Sequence, residues 1–92
     1  MIHLKDPDAR LDYSVDWTAL LEADDRIASD LWDILPIEPG GLVIESSAES
    51  GAIRTVFVSG GLRGRVYRLR NRIETVAGRR DDRSLLIRID ER

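Results

Sequence analysis

Apolar and polar residues alternate along most of this chain. In LDYSVDW, Leu11, Tyr13, Val15 and Trp17 fall on one side and Asp12, Ser14 and Asp16 on the other. That is the period-two pattern of a strand with one buried face. VYRLRNRIETV alternates most cleanly, with Tyr67, Leu69, Asn71, Ile73 and Thr75 against Arg68, Arg70, Arg72 and Glu74. IRTVFVS turns Val56 and Val58 inward, Phe57 to the other face and Arg54 towards the edge. RSLLIRI turns Leu85, Ile87 and Ile89 inward, while Leu86 interrupts an otherwise polar face. GLVIES is a short, apolar, β-branched run. Between these runs lie PIEPGG, SGGLRG and AGRRDD, whose prolines lack amide donors and whose glycines permit positive φ. ESSAESGA reads as a polar loop and DPDAR as an extended lead-in. Segments of this length and spacing predict an all-β fold, an immunoglobulin-like antiparallel sandwich of about seven strands. It is expected to occupy residues 1–92 as one domain. The Cys–Trp–Cys signature of antibody domains is absent.

One region conflicts with that picture. Between Trp17 and Leu35 the apolar set Ile27, Ala28, Leu31, Trp32 and Leu35 has helical spacing. Its Ala, Leu, Glu and Asp content suits a helix, and Asp24-Asp25 is placed to cap one starting near Arg26. Judged locally, this segment reads as a helix.

Composition narrows the function classes. The 92 residues suffice for one modest core, burying about 60–65% of the unfolded surface. With no cysteine, disulfides, thiolate catalysis and cysteine-ligated zinc are out of reach. The one histidine, His3, sits at an N-terminus expected to fray. No apolar run approaches a membrane span, and MIHLKDPDAR is too polar for a signal peptide, so the expectation is a cytoplasmic product not secreted by the Sec route. The net charge of −3 is unevenly spread: residues 1–62 hold 12 acids and 4 bases, and residues 63–92 hold 5 acids and 10 bases. Such polarity suits an acidic partner, a second copy, or neutralisation within the fold.

Candidate chemistry is sparse. SGGLRG lacks the Gly-Lys-Ser/Thr ending and the following helix of a phosphate loop, so it reads as a turn. Asp12 and Asp16, about 13 Å apart on a strand face, are too distant to share an ion, and no calcium-loop order is present. Asp24-Asp25 and Asp81-Asp82 read as turn residues. No nucleophile–base set exists, since His3 is the sole histidine. No catalytic residue, cofactor site, metal site or small-molecule substrate is assigned. The comb Arg68, Arg70, Arg72 is the candidate partner-contact face. Its steps of about 6.6 Å match phosphate spacing. Nucleic acid is disfavoured by the pI near 5.1 and by Tyr67 lying on the opposite face. A solvated face that discourages edge pairing and a docking face for an acidic protein surface both remain. An alternative is a carbohydrate-recognition domain with Trp17, Trp32 or Phe57 as a stacking platform. Tryptophans in a small sandwich otherwise fill the core.

Three stretches together carry a resemblance: KDPDARLDYSVDW, IASDLWDI, and VFVSGGLRGRVYRLRNRIETVAGRRDDRSLLIRI. The chain resembles small phage and prophage proteins with the run KDPD-x-x-LDY-x-VDW, a Trp-containing strand, V-W-L-S-G-G, and Y-x-V-x-NRI-x-T-x-x-GR-x-D-x-RS. The likeness spans Lys5 to Arg88, with an altered PIEPGG connection. Such proteins are encoded among head–tail structural genes and are fiber–tail adaptor-like. The resemblance implies an immunoglobulin-like sandwich and a virion structural or adaptor role through protein–protein contacts, with other virion proteins or copies of itself as partners. It implies location in the bacterial host cytoplasm during assembly and in the virion, with no membrane and no catalytic residue. It implies that Asn71, Arg72, Ile73, Gly78, Arg79, Asp81, Arg83 and Ser84 share a hairpin; on physical grounds Gly78 then suits the turn, and opposite charge favours Arg72, Arg79 or Arg83 pairing to Asp81 or Asp82. It also favours a strand over Ile27 to Ile34, with Ala28, Trp32 and Ile34 inward and a short helical turn near residues 18–24.

Overall fold

The computed structural model describes residues 2–90, which form seven strands: β1 (Ile2–Lys5), β2 (Leu11–Asp16), β3 (Ile27–Leu35), β4 (Leu42–Ser50), β5 (Ile53–Gly60), β6 (Val66–Thr75) and β7 (Arg80–Ile89). They make two sheets, β1-β7-β6-β3 and β2-β5-β4. The pairs are antiparallel except β1 with β7, which is parallel. The expected sandwich is therefore the fold.

The alternating residues supply its core. Ile34, Leu42, Val56, Val58, Tyr67, Leu69, Ile87 and Ile89 form one buried cluster, and Val15, Trp17 and Ile73 a second, with Trp32 packed against both. The β6 alternation is realised in full: Tyr67, Leu69, Asn71, Ile73 and Thr75 are buried while the residues between them face out. The disputed segment is β3, not a helix. Its helical spacing arises because both faces carry apolar groups: Ile34 inside, Leu31 and Leu35 outside. Residues 18–24 make successive turns instead of a helix, with the Leu20 amide on the Trp17 carbonyl (2.9 Å) and the Leu21 amide on Thr18 (3.2 Å).

Several expectations are corrected. Ala28 is exposed, because the register shifts between Ile27 and Ser29 and leaves it as an extra residue. ESSAES is not a loop but most of β4, hydrogen-bonded along β5 as far as Ser50–Ile53. Asp81 and Asp82 lie in β7, not in a turn. The lead-in DPDAR is a turn closed by the Ala9 amide on Asp6 (3.1 Å), because β1 and β2 belong to different sheets. His3 is not frayed: it stands opposite Ile87 and meets the Tyr13 ring edge-on at 5.5 Å. At Gly61, φ is +107° and a β-carbon would lie 2.5 Å from Ile89, so the turn into β6 excludes larger residues.

Candidate functional site

Two groups of polar residues stand out, one inside the sandwich and one on the outer face of the four-stranded sheet. Inside, Asn71 on β6 links the sheets. Its Oδ1 accepts from Trp17 Nε1 (2.8 Å), and its Nδ2 donates to Asp30 Oδ2 (3.1 Å) and the Leu31 carbonyl (3.3 Å). The network of buried polar groups continues through Arg54, whose Nη1 reaches Asp30 Oδ1 (3.3 Å) and Glu49.

 Arg54, expected near the edge, is thus buried on the inner face, since two carboxylates there hold its charge. Arg83 lies over the Trp17 ring at 4.6 Å and donates to the Asp16 carbonyl (2.9 Å). Arg79 donates to the Leu20 carbonyl and to Glu22, each at 2.7 Å. Arg79 and Arg83 therefore hold the segment after β2 rather than pairing with Asp81 or Asp82. Only Arg72 keeps that expected contact, 3.8 Å from Asp82.

Two further groups anchor the opposite end. Lys5 is fully buried, and its Nζ donates to the carbonyls of Gly60 (2.7 Å) and Asp6 (2.9 Å). Burial lowers its pKa below the ordinary lysine value, against the opposing pull of Asp6 and Asp8. Tyr67 donates to Glu38 Oε1 (2.7 Å) and accepts from the Leu62 amide (3.2 Å), tying the connection after β3 to the one after β5.

On the outer face, the arginine comb does not act as a unit. Arg70 is clamped by Asp33, with Nε at 3.1 Å and Nη2 at 2.6 Å from the two carboxylate oxygens. That fork raises its pKa. Arg72 is half-exposed and loosely held by Asp82. Arg68 has no hydrogen bond or ion pair among the described residues, and its Nε is shielded without an acceptor. The register explains the difference: Arg70 stands between Asp33 and Ser84, and Arg68 between Leu35 and Leu86. Much of the sequence charge polarity is neutralised inside the fold, because Arg65–Glu38, Arg70–Asp33 and Arg79–Glu22 join the basic part of the chain to the acidic part.

The rings proposed as a stacking platform are not an exposed row. Trp17 has no exposed surface, Trp32 packs against the core, and Phe57 lies under the Arg10 guanidinium at 4.7 Å. Among the described residues no group of three or more His, Cys, Asp or Glu side chains is placed to hold a metal ion. No helix among them is long and apolar enough to cross a membrane.

Residues 5–88 match a family model described as podophage GP4 fiber-tail adaptor protein gp77. No curated protein matches the chain. Among solved structures, the PKD domain from KIAA 1837 protein, determined in solution, is similar with a TM-score of 0.56 at 21% identity, covering 98% of this chain and 78% of that one. At that identity the likeness speaks for the fold alone.

Proposed function

We infer the function from family membership: this chain belongs to the family of the podophage GP4 fiber-tail adaptor protein gp77. It is a phage structural protein, and its role is to join other virion proteins through surface contact. The observation that carries this reading is the family match over residues 5–88. The chain works without catalysis, as one unit over residues 1–92, docking in the host cytoplasm during assembly and remaining in the particle. Its contact face is the outer side of the four-stranded sheet, where Arg68, Arg70 and Arg72 project.

Co-expression with the tail and fibre proteins of the same phage tests the reading. A complex containing this chain together with both is expected on affinity purification and size exclusion. Particles that gain their fibres normally when the gene is deleted would overturn it.

A further inference from the structure

The outer face of the four-stranded sheet has two unlike ends. At one end, acids and bases meet: Asp33 with Arg70, Asp82 with Arg72, Glu74 with Arg80. At the other, two neighbouring rows cross the sheet. The first runs Ile2, Leu86, Arg68, Leu35 and the second Leu4, Arg88, Val66. All five aliphatic side chains are exposed, from 39% at Leu86 to 52% at Ile2. Neither row contains an acid. Neither arginine has an ion pair among the described residues.

We propose that this end of the face docks a segment of another virion protein in which carboxylate side chains stand among aliphatic ones. The inference rests on the adaptor reading and adds the chemistry of the partner. Charge complementarity selects the occupant. Two guanidiniums set in an aliphatic surface, with no acid of their own, match carboxylates delivered by a partner with apolar neighbours. Arg68 is the keystone. It has no hydrogen bond to give up, so turning its guanidinium onto an incoming carboxylate forfeits nothing, whereas Arg70 would have to leave Asp33. The aliphatic residues supply apolar area that a charged comb alone lacks. They also argue against nucleic acid, which would call for exposed aromatic rings beside the arginines. None of the residues in these two rows is aromatic.

The test is an NMR titration of the ¹⁵N-labelled protein with a synthetic peptide of alternating leucine and glutamate. Shift changes are expected in β1, the start of β6 and the end of β7. Arg68→Ser with Arg88→Ser should weaken binding at least about tenfold, the equivalent of about 1.4 kcal/mol. Glu74→Ser with Arg80→Ser, which removes an ion pair at the far end of the same face, should leave it unchanged. A matched leucine–lysine peptide should not bind. No binding, equal binding of the lysine peptide, or shifts mapping elsewhere would overturn the proposal. So would an oligothymidylate that shifts the same residues, which would assign the face to nucleic acid. Shifts at these residues on raising the protein concentration alone would assign it to a second copy and overturn it as well. The adaptor reading stands or falls separately: if the Arg68→Ser, Arg88→Ser protein still joins tail and fibre proteins, only the face is wrong.

Discussion

Strands β6 and β4 are of similar length, ten and nine residues, yet they do opposite work. β6 lies between β7 and β3 and buries every second side chain. β4 pairs only with β5, at the edge of the smaller sheet, and after Leu42 every residue is exposed on both faces. The difference separates two sources of strand order. In β6, side-chain burial fixes register, because a one-residue slip would turn Leu69 and Ile73 outward. In β4, the ladder to β5 and the anchor at Leu42 carry the strand.

The comparison breaks first if β6 proves insensitive. Leu69 is fully buried, so Leu69→Ala should cost about 2–5 kcal/mol. A midpoint drop of at least about 10 °C follows for a domain this small, read by thermal circular dichroism. Asn71→Ala comes next. It strips the acceptor from the buried Trp17 Nε1 and one donor from Asp30. A cost of about 1–3 kcal/mol is expected, measured by urea unfolding. A neutral result would mean that the link between sheets is ornamental and that packing alone joins them.

The same contrast governs what the sequence could reveal. β6 was legible because alternation reports one covered face, and the whole hairpin of β6 and β7 follows from it. β4 was not, since ESSAES has no alternation to read when neither face is covered. β3 misled for the reverse reason: Leu31 and Leu35 point outward, and apolar groups on both faces imitate helical spacing. Leu86, which interrupted a polar face, belongs to the same outer surface. The arginine comb was visible as a pattern, but its division was not. That Arg70 meets Asp33 while Arg68 meets Leu35 depends on the pairing of β6 with β3, which no local period encodes. Buried Arg54 and Lys5 were missed because charged residues are rarely enclosed. One partner of each, Asp30 for Arg54 and the Gly60 carbonyl for Lys5, is distant in sequence.

A pH titration sharpens the β6 side. Burial raises the Tyr67 pKa above its ordinary value, and its hydrogen bond to Glu38 adds to the rise while the Leu62 amide opposes it. The folded state therefore holds the phenolic proton more tightly than the unfolded state does. The stability this confers is complete below about pH 10 and is lost as pH rises through the raised folded value. Alkaline unfolding should be less steep in Tyr67→Phe than in the parent. Equal slopes would mean that the phenol does not titrate with folding.

The smallest effect is expected in β4. Ser46 is exposed and stands opposite Phe57 across the ladder. Ser46→Thr adds a β-branch that suits a strand and removes no contact, so stability should change by less than about 0.5 kcal/mol, in the stabilising direction. Urea unfolding at two protein concentrations decides the matter. A loss above about 1 kcal/mol at both would mean that the β4 side chain is packed within the chain, and the contrast with β6 would fail. A loss seen only at the higher concentration would locate the packing between copies, with the unpaired edge of β4 as the surface that joins them.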